Sequence, residues 1–225
     1  MTLIYTNIDS PKLGRMSQLF KFRKKKPCLF LDADGVLWED QGPGTVLQVL
    51  EICAQARELI KRFSDDDKYL IIVITNQTSA ARNLIGLNDL QEILANFFKR
   101  SANLAKIDAV YSCFHHPKAE NLDLRINCMC RKPSPEMILQ ASRKFNIDLA
   151  RSLLIGDRIT DMQSASLAGI GNSYLLVNSK MLEINIQNRA PNNEQELGLS
   201  FLPINNLSEI TQLYFGKKKP LGQNT

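Results

Sequence analysis

The 225-residue sequence lacks long hydrophobic runs, and no apolar stretch approaches the length that an α-helix needs to cross a bilayer. It also lacks the charged-then-apolar pattern of a signal peptide, because Asp9, Pro11 and Gly14 interrupt the N-terminal segment. These absences argue against a membrane-spanning or secreted protein. We therefore expect a soluble, cytoplasmic protein without a membrane partner.

The chain has only five cysteines, and an odd number argues against a disulfide framework in a chain without a secretory signal. Three of the five cysteines lie in a short stretch that also holds both histidines, His115 and His116. Cys113-x-His115 and Cys128-x-Cys130 form two closely spaced ligand pairs, a Cys₃His set that suits structural zinc. The alternatives are free buried thiols beside a polar turn, or His116 in place of His115.

The net charge of +5 is concentrated at the chain ends. Seven lysines and arginines precede the first apolar run, and Lys217–Lys219 follow the last helical pattern. Between Cys28 and Phe215 there are 18 basic and 22 acidic residues. We therefore expect a basic extension at 1–26, a folded domain at 27–215 and a basic tail at 216–225. Solvated tails are the simpler interpretation, and binding of a polyanion or partner through them is the alternative.

Short and nearly unbroken apolar runs alternate with helical patterns along the folded domain. The runs are Cys28–Leu31, Tyr69–Ile74, Ala109–Phe114, Leu153–Ile155, Tyr174–Val177 and Phe201–Ile204. Such runs are typical of strands that are covered on both faces of a parallel sheet, and Pro203 suits an edge strand. The pattern predicts an α/β fold with a doubly wound, mostly parallel sheet, whose ligands bind beyond the carboxyl ends of the strands.

Helices are predicted between these runs from apolar periodicity and capping residues. The predictions are a stripe from Val46 to Phe63, a capping box at Asn88 with Gln91, a start at Ser134-Pro135 with Ser134 as the cap, a helix at Thr160–Ala168 closed by Gly169, and a last helix at Asn206–Tyr214. Cys28 lies on a strand and Cys53 on the first helical stripe, so we expect both in the core.

Two carboxylates follow the first strand, in Asp32-Ala33-Asp34-Gly35-Val36. Residues two apart on a strand project to the same side, and paired carboxylates require a cation between them or a proton on one. Both arrangements suit magnesium-assisted phosphoryl transfer, with one carboxylate as nucleophile and the other as acid. The alternative for this segment alone is a polar turn, since Asp and Gly are common in turns.

Three later segments, each at a predicted strand or helix end, favour the catalytic interpretation. Thr75-Asn76-Gln77 ends the second strand, and Gly156-Asp157, with Asp161 nearby, follows a later one. Lys132 precedes a predicted helix start, where a cation and a helix N-terminus together suit a phosphate. Together these segments predict one phosphate-handling site at a single sheet edge.

These motifs resemble the haloacid dehalogenase superfamily, and more closely its heptose-1,7-bisphosphate and histidinol-phosphate phosphatases. The resemblance spans about Cys28 to Phe215. The finer match rests on Thr75-Asn76-Gln77, Ala81-Arg82, Cys113-Phe114-His115-His116-Pro117 and Cys128-Met129-Cys130-Arg131-Lys132-Pro133. It implies a Rossmann-like fold with a zinc loop at 113–130, and the lengths of the segments leave no room for a large cap domain. Ala33 departs from the relatives, which usually carry a larger, often basic, residue there.

The resemblance also implies a role for each site residue. Asp32 is the nucleophile that becomes an aspartyl-phosphate, and Asp34 is the acid and base; Thr75 and Lys132 hold the phosphate. Magnesium is held by Asp32, Asp34 and Asp157, with Asp161 orienting the site, and zinc by Cys113, His115, Cys128 and Cys130. Asn76, Gln77, Thr78, Arg131, Arg158 and the loop Asp40–Pro43 are expected to contact the substrate.

The expected function is a magnesium-dependent phosphatase whose partner is a small phosphorylated metabolite, most simply a sugar bisphosphate such as D-glycero-D-manno-heptose 1,7-bisphosphate. A histidinol-phosphate phosphatase is a close variant. A polynucleotide 3′-phosphatase also follows its second strand with Thr-Asn-Gln, but the acidic body disfavours nucleic acid. A non-catalytic, zinc-stabilised scaffold is the third class, and it would not need Asp32, Asp34, Lys132 and Asp157 together.

Overall fold

In the computed structural model of the protein, residues 24–39, 51–101, 106–177 and 199–216 are described. Within these ranges the strands are β1 (Cys28–Leu31), β2 (Leu70–Asn76), β3 (Ala109–Cys113), β4 (Leu153–Gly156), β5 (Asn172–Leu176) and β6 (Leu202–Ile204). The helices are α1 (Ala54–Asp66), α2 (Leu87–Ser101), α3 (Glu136–Phe145), α4 (Ile159–Ala168) and α5 (Ser208–Phe215). None of the helices in these ranges is long and apolar enough to span a membrane.

The strands form one sheet in the order β3-β2-β1-β4-β5-β6, and every neighbouring pair is parallel. This confirms the predicted doubly wound α/β fold. Leu31, the last residue of β1, lies beside Val73 on β2 and Ile155 on β4. The carboxyl ends of β1, β2 and β4 therefore meet at one edge, where the strand order reverses and where such folds bind ligands.

Successive strand residues pack on opposite faces of the sheet, as the two-residue period requires. Leu29 and Leu31 belong to a core cluster that includes Phe63 of α1, whereas Phe30 belongs to a second cluster that includes Ile138 of α3. Because helices cover both faces, polar residues have no place within β1. Burial on both sides explains why the strands are unbroken apolar runs in the sequence.

The start of the first helix differs from the prediction. Helix α1 begins at Ala54, and Cys53 is its exposed N-cap, so the expectation that Cys53 lies in the core is wrong. The Cys53 N–H donates to the Leu37 carbonyl at 2.8 Å, so a tertiary contact just after β1 ties down the entry to the helix. Cys28, in contrast, is fully buried as expected.

Two predicted caps are also corrected. Helix α2 begins at Leu87, one residue before Asn88, and the Leu90 N–H bonds to the Gly86 carbonyl, so Asn88 lies inside the helix. Pro135, not Ser134, is the N-cap of α3, and the Ser134 hydroxyl donates to the Met129 carbonyl instead.

Helix α1 ends at Asp66, three residues beyond the predicted stripe, and the other helix and strand-end predictions agree with the structure to within two residues at each end. Helix α4 ends at Gly169, whose φ of +78° suits glycine at a helix C-terminus. Pro203 lies on β6, which ends the sheet order among the described strands, as predicted for an edge position. Residues 1–23 of the predicted extension at 1–26 and residues 217–225 of the predicted tail at 216–225 lie outside the described residues, as do the loop Asp40–Pro43 and the first part of the Val46 stripe.

Candidate active site

The first predicted site residue, Asp32, follows β1 directly and is buried. Its N–H donates to the Ile155 carbonyl at 2.9 Å, which continues the β1–β4 pairing by one step. Lys132 Nζ lies 2.8 Å from Asp32 Oδ1 and 2.6 Å from Asp161 Oδ1. It also donates to the Ile74 carbonyl at 3.1 Å. Lys132 therefore joins the ends of β1 and β2 to the first turn of α4.

Three carboxylates lie together beside this lysine, and two of them, Asp32 and Asp161, contact it. One oxygen from each of Asp32, Asp157 and Asp161 lies within 4.8 Å of the others, and all three residues are buried. Asp161 has a second structural contact, because its Oδ2 accepts a hydrogen bond from the Arg158 N–H and caps α4. One lysine cannot balance three close carboxylates, and hard oxygen donors in this arrangement fit a divalent cation such as Mg²⁺.

The electrostatics of the cluster agree with this fit. Burial raises the pKa of Asp32, and the charges of Asp161 and Asp157 raise it further, while Lys132 opposes them. Burial alone would lower the pKa of Lys132, but Asp161 and Asp32 outweigh it and raise that pKa, so the lysine stays cationic. A bound cation would counter the crowding of negative charge that disfavours ionised Asp32.

Asp34 faces a different set of donors. Its Oδ1 accepts a hydrogen bond from Trp38 Nε1 at 2.7 Å, and its Oδ2 accepts one from Gln77 Nε2 at 2.8 Å. The same Gln77 amide donates to Thr75 Oγ1 at 3.0 Å, and both Thr75 and Gln77 are buried. The carboxylate of Asp34 is therefore engaged by neighbouring side chains, and it is not part of the three-carboxylate cluster.

The side-chain amides of Asn76 and Gln77 both form hydrogen bonds to other site residues. Asn76 Nδ2 donates to the Lys132 carbonyl at 3.2 Å, and its Oδ1 accepts from the Lys132 N–H at 3.1 Å. This two-way bond fixes the backbone of Lys132 against the end of β2. Asn76 and Gln77 were expected to contact the substrate. In the structure Asn76 also positions Lys132, and Gln77 also positions Asp34.

Cationic groups lie near the Asp157 side of the site. Arg158 Nε is 3.8 Å from Asp157 Oδ1, and the Arg158 side chain is 52% exposed. Arg131 is half-buried, and burial, together with the positive charges of Arg158 and Arg82, lowers its pKa. The Arg82 N–H bonds to the carbonyl of Thr78, which places both residues on the turn after β2. Arg82 and Trp38 are site residues to which the sequence had assigned no role.

The predicted cysteine and histidine ligands form a second cluster. Cys113, His115, Cys128 and Cys130 each place one donor atom within 4.8 Å of the others. The sulfur–sulfur distances are 3.5, 3.3 and 3.2 Å, and His115 Nδ1 lies 3.4 Å from Cys130 Sγ. Sulfur ligands about 2.3 Å from a tetrahedral zinc ion lie about 3.8 Å apart, so these donor atoms need to spread by only a few tenths of an ångström to enclose zinc.

The structure distinguishes the two histidines. His116 Nδ1 accepts a hydrogen bond from the Lys118 N–H at 3.1 Å and is not part of the cluster. The hydrogen bond between Cys113 and Cys130 lowers the pKa of Cys130, the residue next to Arg131, to about 5. Arg131 in turn donates to the His115 carbonyl at 3.3 Å. The Cys/His cluster is therefore continuous with the Arg131–Lys132 segment.

Comparison with known proteins agrees with this geometry. Residues 129–179 match the family model described as HAD-hydrolase-like. The chain is 32% identical over 200 residues to D-glycero-β-D-manno-heptose-1,7-bisphosphate 7-phosphatase from Photorhabdus laumondii, across 86% of this chain and 97% of that protein.

Two solved structures share the fold. A HAD-like phosphatase from Mesorhizobium loti has a TM-score of 0.65 and 26% identity, across 85% of this chain and 86% of that chain. The D,D-heptose 1,7-bisphosphate phosphatase from B. bronchiseptica, complexed with magnesium and phosphate, has a TM-score of 0.67 and 23% identity, across 85% and 99%. The chain is therefore a phosphatase that belongs to the haloacid dehalogenase-like enzymes, in the family of the heptose bisphosphate phosphatases.

Proposed function

We propose that this phosphatase is magnesium-dependent, works through a phosphorylated Asp32, and removes one phosphate from a sugar bisphosphate such as D-glycero-D-manno-heptose 1,7-bisphosphate. The observation that carries the proposal is the cluster of buried Asp32, Asp157 and Asp161 at the carboxyl ends of β1 and β4, in which Lys132 pairs with Asp32 and Asp161. A structural salt bridge needs only one carboxylate for one lysine. Three buried carboxylates leave negative charge that a further cation would balance.

The proposed chemistry has two steps. An Asp32 carboxylate oxygen attacks phosphorus while the bond from phosphorus to the leaving oxygen breaks, and Asp34 gives its proton to that oxygen. Asp34, now ionised, takes a proton from water, and the water oxygen attacks phosphorus and releases the Asp32 carboxylate. Thr75 and Lys132 bind the phosphoryl oxygens and stabilise the charge that develops on them.

Magnesium would be held by Asp32, Asp157 and Asp34, the last of these through its backbone carbonyl, because the Asp34 carboxylate already bonds to Trp38 and Gln77. When bound, it would neutralise charge on the phosphoryl group and align that group for in-line attack. Asp161 would orient Lys132 and cap α4 rather than coordinate the ion.

The choice of a bisphosphate rests on two observations. The relative from Photorhabdus laumondii is named for a heptose bisphosphate, and its alignment covers 86% of this chain. In addition, Arg131 is half-buried and feels the positive charges of Arg158 and Arg82, although burial is the main cause of its lowered pKa. Three neighbouring arginines suit a substrate with a second anionic group, and Arg binds phosphate in a bidentate manner.

Zinc, held by Cys113, His115, Cys128 and Cys130, would have a structural role. Cys130 directly precedes Arg131-Lys132, so a fixed Cys130 sulfur fixes the backbone from which both cations reach the site. The zinc would hold its four ligands in one geometry and do no chemistry.

A substrate panel tests the proposal. Phosphate release is measured with magnesium for heptose 1,7-bisphosphate, histidinol phosphate and a 3′-phosphorylated oligonucleotide. We expect the highest kcat/KM for the heptose bisphosphate, and loss of release with Asp32→Asn. Asp65→Asn is the matched control, because Asp65 is an exposed carboxylate on α1. Preference for the oligonucleotide or for histidinol phosphate would overturn the substrate assignment.

A further inference from the structure

Trp38 is the only tryptophan of the chain and lies four residues after Asp34. Its side chain is 4% exposed, and its ring packs edge-to-face against Phe97 at 5.0 Å between centroids and at a tilt against Phe98 at 6.0 Å. Two aromatic neighbours from α2 therefore fix the plane of the indole. The Nε1–H of this fixed ring donates to Asp34 Oδ1 at 2.7 Å.

The backbone between the two residues makes this contact possible. The Gly35 N–H donates to the Trp38 carbonyl at 2.8 Å, and Asp34 and Trp38 form a short β-bridge. Gly35 has a φ of +78°, a conformation that favours glycine. The tight turn thus brings the indole and the carboxylate together on the same side of the chain.

A second donor reaches the same carboxylate from another strand. Gln77, which follows β2, donates to Asp34 Oδ2 at 2.8 Å. With one donor on each oxygen, the Asp34 carboxylate cannot rotate without losing a bond. Each oxygen has a second lone pair that can carry the proton for the leaving group.

We propose that Trp38 is a positioning residue for acid catalysis: its indole N–H holds the Asp34 carboxylate in the orientation that delivers a proton to the leaving oxygen. The inference rests on the proposed role of Asp34. A buried tryptophan usually finds some acceptor for its N–H, so the contact by itself is ordinary. Here the acceptor is the proposed acid, and small displacements of such a group cost much of its catalytic effect.

The test compares leaving groups, because only a poor leaving group needs a well-placed acid. kcat is measured for a series of aryl and alkyl phosphates of increasing leaving-group basicity, with wild type, Trp38→Phe, Asp34→Asn and the double variant. We expect Trp38→Phe to lower kcat roughly tenfold for the alkyl phosphate, with KM unchanged, and to leave p-nitrophenyl phosphate within about twofold. In the Asp34→Asn background, Trp38→Phe should have no further effect.

Two further proteins separate the hydrogen bond from packing. Because the chain has one tryptophan, biosynthetic replacement by benzothienylalanine removes only the N–H and keeps a ring of the same shape. It should reproduce the effect of Trp38→Phe. Phe98→Leu removes only the more distant ring contact and keeps both the Phe97 contact and the indole N–H, so it should retain the wild-type dependence on leaving group.

Three other results would contradict the role proposed for Trp38. An equal loss of kcat for all leaving groups with Trp38→Phe would show a purely structural role and overturn the inference. A steeper dependence on leaving group with Asp34→Asn but not with Trp38→Phe would also overturn it, while the proposed function would stand. An unchanged dependence with Asp34→Asn would contradict the acid role of Asp34 and, with it, the inference.

Discussion

Gly35 and Asp157 lie so close together that no larger residue fits between the ends of β1 and β4. A Cβ atom on Gly35 would lie 2.2 Å from Asp157 Oδ2 and 2.6 Å from its Cγ. The φ of Gly35 is also +78°. The glycine after the Asp32–Asp34 pair is therefore required both by the turn and by the position of the Asp157 carboxylate.

Gly35→Ala should displace Asp157 and strain the turn. A displacement of about 1 Å at a catalytic group can cost roughly 100-fold in rate, and we expect a loss of that order in kcat/KM for phosphate release. The affinity for magnesium, measured by activity against magnesium concentration, should fall as well.

Gly169→Ala is the control for backbone strain. Gly169 has the same φ of +78°, but a Cβ there would have nothing within 4 Å. It should cost about 1 kcal/mol of unfolding free energy and leave kcat/KM near wild type. Equal activity losses in the two variants would contradict the special role of the Gly35–Asp157 approach.

The Cys/His cluster predicts zinc in the purified protein. Elemental analysis should find about one zinc per chain. Cys128→Ser should lose that zinc and several kcal/mol of stability, because metal binding contributes directly to folding at structural sites. Phosphate release should fall even under conditions where circular dichroism shows a folded protein.

Cys53→Ser is the matched control for this experiment. Cys53 is an exposed thiol at the N-cap of α1, outside the cluster. Its replacement should keep zinc, stability and turnover. A zinc-free, folded Cys128→Ser protein with undiminished turnover would disprove the positioning role proposed for zinc.

The environment of Asp108 predicts that the stability of the fold depends on pH. This effect does not involve the active site. The Asp108 carboxylate is buried beside β2 and accepts a hydrogen bond from the Ile71 N–H at 2.8 Å. Burial raises the pKa of Asp108, and the Ile71 bond only partly opposes this. Ionised Asp108 therefore destabilises the fold above its folded-state pKa.

Asp108→Asn should stabilise the protein by about 1 kcal/mol at pH 7, because asparagine keeps an acceptor for Ile71 without the buried charge. As pH falls toward about 3.9, the ordinary aspartate pKa, folded wild-type Asp108 takes up a proton before the unfolded chain does. The advantage of the variant should shrink over that range in urea melts. Glu120→Gln, at an exposed site, should show no such trend, and a pH-independent advantage for Asp108→Asn would contradict the account.

The fold and the composition of the site were predictable because both follow from simple patterns. Burial on both faces makes β1 and β2 unbroken apolar runs, and parallel strands bring Asp32, Thr75 and Asp157 to one edge. The spacing of Cys113 and His115 was equally informative. What the sequence could not separate was His115 from His116 without the resemblance, since both have the same chemistry.

The missed features depend on contacts between distant or unrelated positions. Helix α1 starts at Ala54 because Cys53 bonds to Leu37, and no local pattern indicates that contact. Trp38 belongs to no sequence motif, and only the turn at Gly35 brings its N–H to Asp34. The engagement of Asn76 by the Lys132 backbone likewise joins positions 56 residues apart.

The most direct test of the central claim is to identify the residue that carries the phosphoryl group. Wild type is mixed with magnesium and heptose 1,7-bisphosphate, quenched in acid within a turnover, and digested for mass spectrometry. We expect a phosphoryl group on Asp32, its absence in Asp32→Asn, and loss of phosphate release in that variant. A phosphoryl group on another residue, or normal release with Asp32→Asn, would contradict it.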